Sequence, residues 1–550
     1  MKSPYLALEQ EVATALGVHP MEHRRLAGIL PFGKASRWKE NPSKRSVFVL
    51  CFLVLSGLLR LASDLSAAPA LQTNDAPSTG ILSAQIDPLL AKENLSVGHI
   101  GIIFRDGVTG RVLYGRNADF PLKPASNSKI LTTAAAFHYL GRDYRYKTLV
   151  AMRGSQTSDT LQGDLVVVGS GDPSISGRFV KDHDRKAIFH QWAEEIRRRG
   201  IRRITGDIVG IDDAFDDQPQ APGWPTEDRG EWYCAEISAL AYNEGCIDLC
   251  WRGTNGEDKE PATFEMLPPT RYVQVINFVT TVRERGPHER FYERADKRNV
   301  ITAHGRVGQG ETVFDSATVT NPTLYFITVL AETLSESGIE IGGRPRDGDE
   351  YADKTIFHRS LDPIAFYESP PLSQLIEVVN RSSQNFFAEQ IFKTLGKHAM
   401  GEGSFGAGAS AVRRYMDAMG IDCRGLRLVD GSGLSHLDRV TPAQLAAVLL
   451  AVDRMPDGLL FRETLPQGGQ TGSLRKRFQD TARLRQVGLR VRAKTGFIRG
   501  CHGLSGWVET RAKQPICFSI LCNDLAMTDE QAKLLIERVV AQVAELQHKK

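Results

Sequence analysis

Three short polar segments, far apart in the chain, restrict how this sequence can fold. They are Ser126-Asn-Ser-Lys129, Ser383-Gln-Asn385 and Lys494-Thr495-Gly496. Each pattern alone occurs by chance in many proteins, and only the three together in this order are informative. A serine hydroxyl is a poor nucleophile until a base takes its proton, and the first segment offers both groups. We therefore expect a fold that gathers the three segments into one pocket.

The first segment has the pattern of a helix start. Pro124 precedes it, and Ala, Leu and Ile follow at helical spacing up to Gly141. Residues at i and i+3 share a helix face, so the Lys129 amine can reach the Ser126 hydroxyl. A lysine acts as a base only if its pKa falls well below ~10.4, and both burial and a nearby cation lower it. Lys494 is predicted to be that cation.

The second segment places two polar side chains two residues apart, a spacing that suits a loop or a helix turn facing a cleft. Ser383 is predicted to relay a proton to the leaving amine. Asn385 is predicted to hydrogen-bond both the substrate amide and the Lys129 amine.

The third segment lies on a predicted edge strand. Lys494 and Thr495 supply the cation and the hydroxyl that a free substrate carboxylate needs, and Gly496 leaves room for the substrate backbone. The backbone N–H groups of Ser126 and Phe497 are predicted to form an oxyanion hole, in which one donor is typically worth about 3–4 kcal/mol.

The N-terminal region is predicted to direct export. An apolar run, 47–59, follows Lys44 and Arg45 and precedes the small residues SAAPA, which is typical of a secretory signal. The run is short for a membrane span of ~20 apolar residues. Either the true start is Met21, or an uncleaved anchor keeps a cytosolic tail. We expect a periplasmic or cell-envelope protein, with membrane contact only through this segment.

The distribution of β-like and helical patterns along the chain predicts a catalytic domain that is split by an insert. Short β-like runs separated by Gly, Pro and Asp fill the middle of the chain, and helical patterns resume after Pro370-Pro371. The predicted units are a cytosolic or leader segment (1–45), a signal peptide or anchor (46–62), a linker (63–84), a split catalytic domain (85–150 and 357–547) and an inserted module (151–356).

Composition excludes several classes of function. The chain has a net charge of +3, but residues 1–46 alone carry +4 and the remaining residues carry −1. The body of the protein is therefore nearly neutral, and no nucleic-acid partner is expected. The histidines form no HExxH motif, and nucleotide-binding loops are absent, so no metal and no cofactor are predicted. Cys234, Cys246 and Cys250 are close enough for a local disulfide, and free buried thiols are the equal alternative.

With the long insertion and the stretch Asp430-Gly-Ser-Gly-Leu-Ser435, the chain resembles the low-molecular-mass class C penicillin-binding proteins over about residues 85–545. The stretches LKPASNSKILTTAAA, GSGDPSIS, APGW and TGSL also match. The resemblance implies an α/β fold, with a five-stranded antiparallel sheet flanked by helices and split by a large, mainly β insert. Asp430 and Ser432 are expected to form a structural turn beside the site.

The resemblance also implies a function. Such enzymes are serine D-alanyl-D-alanine carboxypeptidases, and often endopeptidases, of peptidoglycan stem peptides, and β-lactam antibiotics acylate them. The implied intermediate is an acyl-enzyme at Ser126. Asp228 is the candidate for binding the amino group of diaminopimelate, although a loop acid or helix cap would explain it equally well. The usual SDN motif carries Gln384 here. A β-lactamase or esterase on the same scaffold, and a non-catalytic binding protein, are the rival hypotheses.

Overall fold

The computed structural model describes residues 80–93, 98–256, 258–357 and 361–547. The predicted leader and the predicted signal or anchor lie outside these ranges. Within them, no helix combines the length and the apolar character that crossing a membrane requires.

Eleven α-helices occur in the described residues. In chain order they are α1 (Gly80–Ala91), α2 (Ser128–Tyr139), α3 (Ala187–Arg198), α4 (Pro322–Glu336), α5 (Leu372–Ser382), α6 (Asn385–Met400), α7 (Phe405–Ala418), α8 (Pro442–Asp453), α9 (Gly458–Thr464), α10 (Ala482–Gly488) and α11 (Asp529–Ala544).

The strands form four sheets. In chain order they are β1 (His99–Asp106), β2 (Val112–Arg116), β3 (Lys147–Thr157), β4 (Thr160–Val168), β5 (Arg203–Ile204), β6 (Ile208–Ile211), β7 (Cys246–Arg252), β8 (Thr263–Leu267), β9 (Gln274–Val282), β10 (Arg290–Arg294), β11 (Val300–Gly308), β12 (Thr312–Thr318), β13 (Glu340–Ile341), β14 (Pro345–Asp347), β15 (Asp362–Glu368), β16 (Val491–Ile498), β17 (Cys501–Glu509) and β18 (Pro515–Asn523).

The catalytic sheet has five antiparallel strands in the order β16-β17-β18-β1-β2, which confirms the predicted sheet. Its strands come from both ends of the described chain, since β1 pairs with β18. Alternating residues of β1 face opposite sides: Phe104 packs in the layer with α1 and α11, and Ile103 packs with the central helices. The sheet is therefore covered on both faces.

Helix α2 lies at the centre of the second layer. Every residue from Ser128 to Phe137 is buried, and the helix contacts α5, α6, α7 and α8. The Ala-rich stretch of α2 allows this close approach, because its small side chains let the neighbouring helices pack on all sides. Burial on all sides fixes the direction in which the first turn of α2 points.

The segment predicted as linker (63–84) overlaps a helix at its C-terminal end. Helix α1 begins at Gly80, and Leu82, Ile86 and Leu90 recur at helical spacing and are buried beside α11.

The insert consists mainly of β-strands around its own core, with α3 and α4 packed into that core. Its largest sheet extends beyond both predicted boundaries, because β15 pairs antiparallel with β3, which begins at Lys147. One stretch of the insert returns to the catalytic domain: Phe215, Trp224 and Cys234 pack in the core of the central helices. This stretch forms one wall of the cleft described next.

Candidate active site

The first motif sits where a single 3₁₀ turn, Ala125–Asn127, leads into α2. Lys129 Nζ donates hydrogen bonds to Ser126 Oγ at 2.9 Å, to Asn385 Oδ1 at 2.6 Å and to the Ser432 carbonyl at 2.8 Å. Ala125 has φ +47°, a left-handed conformation that non-glycine residues adopt at a cost. The strained turn presents the Ser126 hydroxyl to the lysine amine.

Burial is the main influence on the Lys129 amine. It lowers the pKa of Lys129 to about 7, and the nearby carboxylates of Glu389 and Asp430 act in the opposite direction. The sequence predicted that the charge of Lys494 contributes to this lowering, but in the structure burial is what lowers the pKa of Lys129. Burial first and the Lys129 charge second lower the pKa of Lys494 itself well below its usual value.

The second motif connects α5 to α6. Ser383 adopts φ +61° and its hydroxyl accepts a 2.8 Å hydrogen bond from Lys494 Nζ. Asn385, the first residue of α6, accepts from Lys129 and donates through Nδ2 to the Tyr233 carbonyl at 2.9 Å. The left-handed residue between the helices turns both side chains toward the two lysines.

The third motif lies on β16, which is the edge strand of the sheet as predicted. Thr495 Oγ1 donates to Ser473 Oγ at 2.7 Å. Gly496 has a packing role besides the predicted one toward substrate, because a Cβ there would overlap Asn127 Nδ2 and approach the Pro124 carbonyl. The glycine therefore lets the edge strand pack directly on the turn that carries Ser126.

A cavity of about 580 Å³, here called the acyl cleft, opens over these motifs. Ser126, Ser383, Asn385, Phe497 and Asp228 all contribute to its lining. The structure thus brings together the serine, the second motif and Asp228. Burial, and then the charge of Asp228, raise the pKa of Tyr233 beside it. Further lining residues are Trp232, Leu434, His436 and Ile498.

A buried carboxylate beneath the cleft was missed by sequence reasoning. Glu389 accepts hydrogen bonds from the amides of Gly431 and Ser432 at 2.7 and 2.8 Å. Burial, and then the charge of Asp430, raise the pKa of Glu389 to about 8. Its position four residues after Asn385 on one helix face was the available signal.

The stretch Asp430–Ser435 is a structural turn in the structure. Asp430 accepts from the amides of Gly433 and Ser435, both at 2.7 Å, and from Trp224 Nε1 at 2.9 Å. The turn also supplies the Ser432 carbonyl that holds Lys129.

The seven described cysteines, including Cys234, Cys246 and Cys250, are free thiols, which corresponds to the second of the two alternatives. Among the described residues, three carboxylates come together at Asp212, Asp213 and Asp349, and none of them belongs to the acyl cleft.

Comparison with known proteins identifies the fold and the family of this chain. The computed fold matches the crystal structure of penicillin binding protein 4 (dacB) from Haemophilus influenzae with a TM-score of 0.70 at 22% identity, covering 84% of this chain and 99% of that one. The penicillin-binding fold is therefore confirmed. A D-alanyl-D-alanine carboxypeptidase of Actinomadura sp. (strain R39) is 29% identical over 471 residues, 84% of each chain. The D-alanyl-D-alanine carboxypeptidase DacB of H. influenzae is 23% identical over 439 residues, covering 79% of this chain and 87% of that protein.

The family model of the D-Ala-D-Ala carboxypeptidase 3 (S13) family matches residues 82–546. The chain belongs to this family and is a serine-type D-Ala-D-Ala carboxypeptidase of the class C penicillin-binding type.

Proposed function

We propose that Ser126 is the nucleophile of this carboxypeptidase and that Lys129 is its general base. The observation that carries the proposal is the 2.9 Å contact between Lys129 Nζ and Ser126 Oγ, made by an amine that is fully buried. A neutral amine has two N–H donors and one lone pair. Asn385 and the Ser432 carbonyl take the donors, and the lone pair is left for the serine proton.

The reaction then proceeds through an acyl-enzyme. Ser126 Oγ bonds to the penultimate D-alanyl carbonyl carbon while Lys129 receives the hydroxyl proton. The backbone amides of Ser126 and Phe497 stabilise the resulting oxyanion. The C–N bond breaks and the terminal D-alanine leaves as an amine. Water then attacks the ester: one water proton passes through Ser383 to Lys494 and replaces the proton given to the leaving amine, and Lys129 returns to Ser126 the proton it took.

The hydrogen bond between Lys494 and Ser383 supports a proton relay to the leaving amine. Ser383 Oγ accepts from Lys494 Nζ at 2.8 Å, so its own proton is free to pass to the departing nitrogen. Lys494 and Thr495 also bind the substrate's terminal carboxylate, and Gly496 keeps their strand against the catalytic turn.

Asp228 is proposed to bind an amino group on the third residue of the stem peptide, such as that of diaminopimelate. Its place in the lining of the acyl cleft supports this role.

The proposed setting is the cell envelope. We propose peptidoglycan stem peptides as substrates and β-lactams as acylating inhibitors, because the solved relatives include a dacB protein complexed with a β-lactam. We also propose that the N-terminal apolar run directs export, as a cleaved signal or a retained anchor. We further propose that the catalytic domain consists of residues 85–150 and 357–547, with an insert at 151–356.

Mass spectrometry of the purified protein after incubation with penicillin tests the function. We expect one stable adduct on the peptide that contains Ser126, none in Ser126→Ala, and D-alanine release from a D-Ala-D-Ala pentapeptide by the unmodified protein alone. Rapid penicillin turnover without a lasting adduct would instead favour the β-lactamase hypothesis. D-alanine release by Ser126→Ala would refute the assignment of the nucleophile.

A further inference from the structure

A second cavity of the catalytic domain lies where strand β1 meets the start of helix α8. Its volume is about 450 Å³, within the range of ~300–1,000 Å³ that is usual for small-molecule sites. Arg105 of β1 and Ala443 and Ala447 of α8 contribute to its lining. We call it the Arg105 pocket. No described residue lines both this pocket and the acyl cleft, so a ligand bound here would be separate from the substrate.

Arg105 is a buried cation without a counter-ion. It follows Ile103 by two residues on β1, so its side chain lies on the face of the sheet that the central helices cover. Cys517, its partner on β18, contacts the Ala446 carbonyl of α8. Only 6% of Arg105 is exposed, and within the described residues no carboxylate forms an ion pair with it. An unpaired buried charge lowers stability, so folding alone does not explain this arginine.

One edge of the Arg105 guanidinium has no partner. Nη1 donates to the Gly110 carbonyl at 3.2 Å, which is the only hydrogen bond of this side chain in the described part of the chain. Nε is buried without a partner, and Nε and Nη2 form one edge of the planar group. A carboxylate binds such an edge with both of its oxygens. Burial lowers the pKa of Arg105, but the guanidinium stays charged because its ordinary pKa lies far above neutral.

The pocket also contains an acid without a partner. Asp119 is an exposed lining residue, and among the described residues its carboxylate forms no hydrogen bond and no ion pair. The other two charged lining residues neutralise each other, because Arg424 Nε donates to Asp422 Oδ2 at 2.6 Å. One buried cation and one exposed anion therefore remain in the pocket without pairing with each other.

We propose that the Arg105 pocket binds a small zwitterionic amino acid with an apolar side chain, of which the D-alanine released by the enzyme is an example. The ligand carboxylate pairs with the free edge of Arg105, and the ligand ammonium group pairs with Asp119. Its side chain lies against Ala443 and Ala447. A simple anion would meet only the arginine and a simple amine only the aspartate, so tight binding requires both charges in one molecule.

Isothermal titration calorimetry of the full-length protein tests the proposal. The probes are D-alanine and its two half-ligands, acetate and methylammonium. The variants are Arg105→Met, which keeps an apolar stem and removes the charge, and Asp119→Asn. Arg111→Met is the matched control, because Arg111 is an exposed arginine near the same strand and lines neither the Arg105 pocket nor the acyl cleft.

We expect saturable D-alanine binding by the unmodified protein and by Arg111→Met. Arg105→Met and Asp119→Asn should each weaken this binding by about tenfold or more, the size of effect that loss of a charge-assisted hydrogen bond gives. Acetate and methylammonium should each bind about tenfold or more weakly than D-alanine for the same reason. Both variants should still release D-alanine from a pentapeptide ending in D-Ala-D-Ala, which shows that they are folded.

The proposal would be overturned if the unmodified protein showed no saturable binding of D-alanine. Binding that survives both substitutions would also overturn it, since the ligand would then lie elsewhere, such as in the acyl cleft. Because Asp119 is exposed, Asp119→Asn decides this point even where Arg105→Met loses stability. Acetate that binds as tightly as D-alanine would indicate a site for simple anions and refute the zwitterionic ligand.

Discussion

The carboxyl group of Glu389 accepts a 2.8 Å hydrogen bond from the amide of Ser432, and the carbonyl of the same Ser432 accepts from Lys129 Nζ. A single residue thus connects a buried acid to the catalytic base. Glu389 does not line the acyl cleft, so its effect on the reaction is that of a positioning residue.

Replacing Glu389 with alanine is expected to lower the free energy of unfolding by about 2–4 kcal/mol, because two buried amides lose their acceptor. Glu389→Gln keeps one carbonyl acceptor and should lower the free energy of unfolding by less. Urea denaturation measures both. Glu377→Ala is the control, since the Glu377 side chain is 42% exposed and, among the described residues, pairs only with Arg381 on the same helix. It should change stability by less than about 0.5 kcal/mol.

The same residue sets a pH dependence of stability. Burial raises the pKa of Glu389 to about 8 from its ordinary 4.5, so the folded protein holds a proton that the unfolded chain releases between these values. The contribution of Glu389 is therefore fully present below about pH 4.5 and is lost as the pH rises toward 8. Denaturation at several pH values should show that the free energy of unfolding falls less with rising pH in Glu389→Gln than in the unmodified protein. An identical decline in both would contradict this assignment.

The rate of Ser126 acylation by a labelled penicillin is expected to rise with pH and level off above an inflection near 7. Burial lowers the pKa of Lys129 to about 7, and only the neutral amine can take the serine proton. The charge of Glu389 acts on Lys129 in the opposite direction to burial, so the inflection also depends on the protonation of Glu389. Lys129→Met should slow acylation by about a hundredfold or more. An inflection near 10, typical of an exposed lysine, would show that the amine is not perturbed.

Gly496→Ala should both destabilise the protein and slow acylation. The new methyl group would overlap Asn127 Nδ2 and push the edge strand away from the turn that carries Ser126. Overpacking of this kind costs about 1–3 kcal/mol. Gly406→Ala is the control, because Gly406 is exposed in α7 and a Cβ there meets only Ser404 Oγ at 4.0 Å. It should be neutral or stabilising. Equal thermal unfolding temperatures for the two variants would argue against the close contact.

Asp228→Asn is expected to raise KM for a stem peptide whose third residue has a free amino group, because the charge that faces that amine is lost. The same peptide with the amine acetylated should show equal KM in both proteins. Steady-state D-alanine release measures the comparison. A parallel rise for both peptides would indicate that Asp228 only shapes the cleft wall.

The sequence predicted the fold and the grouping of the site because the three motifs carry chemistry that needs one pocket. Ser126, Ser383 and Lys494 could be identified by residue type and order alone. Glu389 could not be identified by type, since a glutamate inside a helix usually faces solvent; its spacing of four residues from Asn385 was the one sequence signal, and its contacts with the Gly431 and Ser432 amides reveal its role. The start of α1 was missed because three apolar positions in a segment rich in small residues carry a weak periodic signal.

The order of the strands in the catalytic sheet has a consequence for biosynthesis. β18, which pairs with β1, is the last of the five strands to be synthesised. β16, the edge strand that carries Lys494, also lies late in the chain. A nascent polypeptide that already contains the serine therefore has only two of the five strands of its own sheet. A chain cut before β16 lacks Lys494 and three of the five strands of this sheet, so we expect it to have no hydrolase activity.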